Sequence, residues 1–180
     1  MEEARELVKK ALNIPAGYTV LCLQGGATLG FTISALNMTK GGKAGYINTG
    51  VWASGAIKEA KLVGVDVNVL ASSEDKNFSY IPKYFEIPSD LDYLHYTSNN
   101  TIYGTQFQEQ IKTNVPLICD MSSDIFSQTI NVSDFDLIYA GAQKNLGPAG
   151  ATLYIVKEEV LGKSKAAFMP SYFDLAKQHD

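Results

Sequence analysis

Apolar residues recur along the chain in two rhythms. Ala4, Leu7, Val8 and Ala11 share one face of a 3.6-residue repeat, with Glu2 and Glu3 in its first turn, which predicts an amphipathic helix over residues 2–12. Short, largely apolar runs at 18–23, 43–47, 65–70, 93–97, 115–119, 135–139 and 152–156 predict strands, the one at 115–119 buried. Two more helices fall between the early strands. One opens at Gln24-Gly25-Gly26-Ala27-Thr28 and carries Phe31, Ile33, Ala35 and Leu36; the other runs from Trp52 to about Leu62. Residues 72–78 and 98–104 read as polar loops, 80–90 as irregular chain around Pro82 and Pro88, and 131–136 as a polar turn. A short helix is expected over 157–161, and the segment from 163 to 180 shows no clear period.

Alternating strands and helices imply a three-layer α/β fold, a mostly parallel sheet with helices on both faces. Ligands of such sheets gather at the carboxyl ends of the strands. Residues 24–28, Trp52, Thr101, Asp120 and Lys144 all fall at or just past such ends. A strand, a glycine turn and a helix offer free N–H groups and a helix dipole to an anion, although glycines also make ordinary connections there. The turn is neither G-x-G-x-x-G nor a Walker sequence, which argues against a dinucleotide or nucleoside triphosphate. Trp52, the only tryptophan, can stack on a planar ring or simply pack. Asp120 ends an apolar strand, so it either meets a cation or donor or caps a turn. Lys144 lies among Ala140, Gly141, Ala142, Gly147, Ala149 and Gly150, small residues that leave room for a bulky group beside its ammonium. A desolvated lysine there, its pKa free to fall, can attack a carbonyl; the alternative is a surface lysine in a tight connection. His95, between Leu94 and Tyr96, reads as a satisfied core histidine.

Bulk properties narrow the field. With 180 residues, 46% hydrophobic and 19% charged, the chain is an ordinary globular domain able to bury a core without disulfides. A net charge of -4 with dispersed lysines argues against a nucleic-acid surface. Cys22 and Cys119 sit in apolar runs, where reduced thiols are usual. Glu2, Glu3 and Glu6 replace the basic start of a signal peptide, and the apolar runs are too short to span a bilayer. A cytoplasmic protein with no membrane partner is expected, and no metal is implied.

The runs Q-G-G-A-T at 24–28, N-T-G-V-W at 48–52, N-N-T-I-Y-G at 99–104, D-M-S-S-D at 120–124 and A-G-A-Q-K-N-L-G-P-A-G at 140–150 resemble the phosphoserine aminotransferases, a fold-type I family dependent on pyridoxal 5′-phosphate. By that resemblance Lys144 is the catalytic, cofactor-bonding lysine and Asp120 the partner of the pyridine nitrogen, which it keeps protonated. Trp52 would stack on the ring, Thr101 would hydrogen-bond the phenolic oxygen, and Ala27, Thr28 and Gln143 would line the phosphate. The family further implies one antiparallel strand after Gly150, amino-acid and keto-acid substrates (glutamate and 3-phosphohydroxypyruvate), and a homodimer with sites at the subunit boundary. Residues 1–162 would form the cofactor-binding large domain and 163–180 a tail leading toward a small domain. Two departures stand out. Thr28 occupies a position that is arginine in many members, and family members are longer, with His-Arg substrate contacts and an Asn-Thr pair that have no counterpart here. Arg5 is the sole arginine, and His95 and His179 are the only histidines. The expectation is therefore a partial enzyme; a silent cofactor-binding or self-associating domain, or another fold-type I enzyme, are the alternatives.

Overall fold

Helices and strands that each carry one apolar face bury them by layering. In the computed structural model, which describes residues 2–179, the layering is built on a seven-stranded sheet. Met1 and Asp180, the outer limits of the two expected units, lie outside the described residues. In chain order the elements are α1 (Glu2–Ala11), β1 (Tyr18–Leu23), α2 (Gly26–Met38), β2 (Lys43–Asn48), α3 (Val51–Leu62), β3 (Asp66–Ser72), β4 (Tyr93–Thr97), β5 (Asn99–Asn100), β6 (Thr105–Gln106), β7 (Leu117–Asp120), β8 (Leu137–Gly141), β9 (Thr152–Lys157) and α4 (Leu175–His179). The sheet order is β1-β9-β8-β7-β4-β2-β3. β9 runs antiparallel to both neighbours, β1 and β8, while the other pairings are parallel. The strand after Gly150 is thus the one antiparallel strand of this sheet, as expected.

Because side chains alternate across a strand, each strand feeds two cores. On one face Leu21, Tyr46, Tyr93, Ile118, Leu137, Tyr139, Tyr154 and Val156 meet Phe31, Ile33 and Ala35 of α2 and Ala56, Ile57 and Ala60 of α3. α2 is buried almost all round its second half, because α3, the sheet and the C-terminal segment enclose it. On the other face Val20, Ile47, Leu94, Tyr96, Leu117, Cys119, Ile138 and Ile155 are covered by Val8 and Leu12 of the α1 region. The rest of that cover, including Phe107, Met121, Ile125 and Val132, is mostly irregular chain rather than helix. Pro82 and Pro88 contribute to this, each removing a backbone N–H and holding the preceding residue extended.

Several boundaries differ from the sequence pattern. The short helix expected at 157–161 is a single 3-10 turn, Glu158–Val160. The 98–104 loop contributes β5, which pairs with β6 in a two-stranded ribbon. The segment after Gly162 folds back over α2. Lys165 donates its N–H to Thr39 O (2.9 Å), Asn37 Nδ2 donates to Phe173 O (2.6 Å), and Leu175 of α4 is fully buried. α4 spans five residues, too few to show a helical period.

The α2–β2 turn is tied to β4 by one carboxylate. Asp92 accepts hydrogen bonds from the backbone N–H groups of Lys40 (2.7 Å), Gly41 (2.8 and 2.9 Å) and Gly42 (2.7 Å). Burial opposes its charge, but the N–H groups of Lys40, Gly41, Gly42 and Lys43 outweigh burial and hold its pKa below the ordinary 3.8. A depressed carboxyl stabilises the fold above its unfolded value, and the contribution is lost as pH falls through the folded value. Asp92→Ala is therefore expected to lose about 1.5–3 kcal/mol at neutral pH. In urea titrations the deficit relative to the parent should shrink progressively below the ordinary value of 3.8. A deficit that stays constant into strong acid would refute the charged role.

Candidate active site

On the α2/α3 face, successive inward positions run toward the strand ends as His95 then Thr97, Ile118 then Asp120, and Tyr139 then Gly141. The first of each pair lies within the layer. The second lies at the carboxyl edge of the sheet, with Thr97 and Asp120 in register on adjacent parallel strands. Beneath this edge the His95 ring stacks on Tyr46 (centroids 4.9 Å apart), and His95 Nε2 shares a 2.8 Å hydrogen bond with Tyr139 OH. Its Nδ1 has no partner, so the expected core histidine is satisfied on one nitrogen only. Burial pushes its pKa down to about 3, which keeps the ring neutral.

α2 begins at the same edge. Gly25 and Gly26 both have positive φ (106° and 66°), the left-handed region that glycine enters without a Cβ penalty. No side chain caps the start of α2, so its first N–H groups have no capping acceptor, and they form the kind of helix end that binds anions. Gly141 lets the β8 turn and the start of α2 approach closely. A Cβ there would lie 2.7 Å from Gln143 Oε1 and 3.1 Å from the Ala27 backbone nitrogen.

Asp120 is 2% exposed. Its Oδ1 accepts hydrogen bonds from the Ser122 N–H (3.0 Å) and the Ser122 hydroxyl (2.5 Å), and Ser122 Oγ in turn accepts from Gly141 N–H (3.0 Å). Burial raises its pKa to about 6, against the lowering effects of the Ser122 hydrogen bonds and of the Lys144 charge. Lys144 is half-buried in the turn that follows β8, and its ammonium donates to Thr101 Oγ1, in the turn between β5 and β6. The same nitrogen lies 5.7 Å from the centre of the Trp52 ring on the first turn of α3. Asn145 Nδ2 donates to Ile125 O (2.7 Å), fastening the lysine turn to the segment after Asp120.

A cavity of 320 Å³ opens here, and Ala27, Thr28, Trp52, Asp120, Gln143 and Lys144 all line it. Thr101 is reached through Lys144. All seven residues singled out from the sequence are thus brought together. Sequence reasoning missed Thr97, Ser122 and Ser123, which also line the cavity, as does Asn99 of the polar 98–104 run. The hydroxyl two residues after Asp120 was a legible signal for a short side-chain turn. A larger cavity, 610 Å³, lies on the opposite face among Tyr96, Phe107, Met121 and Ile125. Its one lysine, Lys112, is 78% exposed and is paired with Asp134 at 2.8 Å. It offers no buried pairing of carboxylate and amine, and the smaller cavity is the chemically equipped one.

The model of the class-V aminotransferase family matches residues 1–171. The chain belongs to this family. The phosphoserine aminotransferase of Flavobacterium johnsoniae is 56% identical over 179 residues, covering 98% of this chain and 50% of that protein. A phosphoserine aminotransferase structure describing radiation damage of its Schiff base superposes with a TM-score of 0.92 at 46% identity, over 98% of this chain and 49% of that one. The PLP-bound phosphoserine aminotransferase of Trichomonas vaginalis gives a TM-score of 0.92 at 32% identity, over 98% of this chain and 54% of that one. This class-V chain spans about half the length of the curated relatives it matches. None of its helices among the described residues is long and apolar enough to cross a membrane.

Proposed function

We propose that this chain is the pyridoxal 5′-phosphate-binding part of a phosphoserine aminotransferase, whose whole form transfers an amino group between glutamate and 3-phosphohydroxypyruvate in serine biosynthesis. The observation that carries the reading is the convergence of Lys144, Asp120 and Trp52 on one cavity at the uncapped start of α2. The residues fit the cofactor. Both hydrogen bonds to Asp120 fall on Oδ1, which leaves Oδ2 for a ring N–H, and Gly141 keeps open a cradle that a Cβ would fill.

When bound, pyridoxal phosphate supplies an aldehyde for amines and a protonated ring that draws electrons from the reacting carbon. The N–H groups at the start of α2, with Ala27, Thr28 and Gln143, bind the phosphate. Trp52 covers the ring, and Thr101, whose hydroxyl is already in contact with Lys144, orients the phenolic oxygen. Asp120 holds the proton on the ring nitrogen. Lys144 would hold the cofactor through its aldehyde and, as the proton-transfer group, would carry the proton between the substrate's α carbon and the cofactor's C4′ carbon.

The same reading makes residues 1–162 the cofactor-binding unit and 163–180 the lead into a further domain. It places the protein in the cytoplasm, as a homodimer acting on small amino and keto acids, with neither nucleic acid nor membrane as partner. Free Cys22 and Cys119 support a reducing compartment.

Mixing the purified chain with pyridoxal phosphate is expected to produce the absorbance band of a lysine-bound cofactor. Adding glutamate and 3-phosphohydroxypyruvate should then yield phosphoserine. No band at any cofactor concentration would overturn the proposal. One observation favours a second reading, a chain that holds the cofactor without turnover: among the described residues Lys144 is the only cationic side chain lining the cavity. A band without phosphoserine would select that reading.

A further inference from the structure

A partnerless hydroxyl in the cavity wall points to one more ligand contact. Thr97 is 3% exposed, and its Oγ1 has no hydrogen-bond partner in the protein. Five other buried side-chain atoms among the described residues share that condition, yet Thr97 alone among their residues lines the 320 Å³ cavity. It stands in strand register with Asp120, on the neighbouring parallel strand. A valine would occupy the same volume without the desolvation cost of an unpaired hydroxyl, so the empty site is less stable than the fold allows. A bound molecule that supplies the missing partner removes that cost.

We propose that Thr97 is a further cofactor-binding residue whose hydroxyl hydrogen-bonds the phenolic oxygen on the ring of pyridoxal phosphate. The ring nitrogen's single proton is taken by Asp120, whereas the phenolic oxygen has lone pairs enough for the hydroxyls of both Thr97 and Thr101. The inference rests on the pyridoxal phosphate reading above.

Pyridoxamine 5′-phosphate is the suitable probe, because without an aldehyde its affinity reports ring and phosphate contacts apart from any bond to Lys144. Thr97→Val should bind it about tenfold more weakly than the parent. The same variant, free of ligand, should melt at or above the parent temperature. Thr97→Ser, which keeps the hydroxyl, should bind within about twofold of the parent. Should Thr97→Val fail to fold, Thr97→Cys keeps the volume with a weaker donor and must also weaken binding. Parental affinity in Thr97→Val, or equal losses in the valine and serine variants, would overturn the inference while leaving the cofactor reading in place. If the parent chain binds neither pyridoxamine phosphate nor pyridoxal phosphate, both fall together.

Discussion

Lys144→Ala is expected to abolish the absorbance band that forms on mixing the chain with pyridoxal phosphate, and with it any adduct retained after borohydride reduction. Among the described residues Lys144 is the only lysine lining the cavity, so no lysine beside it can substitute. Any amino transfer should fall by at least about 10²- to 10⁴-fold, the usual contribution of a positioned proton-transfer group. Lys144→Arg separates charge from nucleophilicity. It keeps a cation near Trp52 and Thr101 but cannot give up its proton to become a nucleophile. It should therefore be as silent in the spectrum as the alanine variant. Neither substitution should change stability by more than about 1 kcal/mol, because the Lys144–Thr101 contact is solvent-exposed. A band that persists in both variants would remove Lys144 from its role.

The parts of the fold that were legible in sequence are those with a period to detect. The strands from Tyr18 to Lys157 and the helices α2 and α3 announce themselves by apolar runs long enough to repeat. α4 and the β5–β6 ribbon do not, since five residues and two pairs of residues are below any period. Their placement comes from tertiary contacts such as Leu175 N–H to Asn37 Oδ1, made across the chain. The site divides in the same way. Lys144, Asp120 and Trp52 are conspicuous because charged or large residues at strand ends are costly or rare. Thr97 is not, since hydroxyl residues at strand ends are common, and Ser122 signals a local turn but not a ligand site. Only the register of β4 against β7, and the meeting of Ser122 with Gly141, give them meaning. His95 was recognisable as buried, but its pairing with Tyr139 depends on two strands separated by β7.

Asp120→Asn should make the empty protein more stable and the loaded protein worse. In the ligand-free chain burial raises the Asp120 carboxyl from 3.8 to about 6. The folded state then binds the proton more tightly than the unfolded state, so stability falls as pH rises between those two values. The penalty is absent below 3.8 and complete above about 6, and a rise of this size corresponds to about 3 kcal/mol. Asparagine keeps the shape, and its carbonyl oxygen can still accept from Ser122, but it carries no charge to desolvate. Melts of the ligand-free variant at pH 8 should therefore lie above the parent's, and the gap should close toward pH 4. Pyridoxal phosphate reverses the order, because the parent carboxylate then faces a protonated ring nitrogen and the amide does not. Losing one partner of such a buried charge pair costs about 2–5 kcal/mol, roughly 30-fold to several thousand-fold in affinity or rate. The stabilisation conferred by the cofactor should accordingly be much smaller in Asp120→Asn than in the parent. If the empty variant melts below the parent at pH 8, Asp120 is not a destabilising buried charge. If it melts higher and gains as much from pyridoxal phosphate as the parent does, its carboxylate is not the partner of the ring nitrogen.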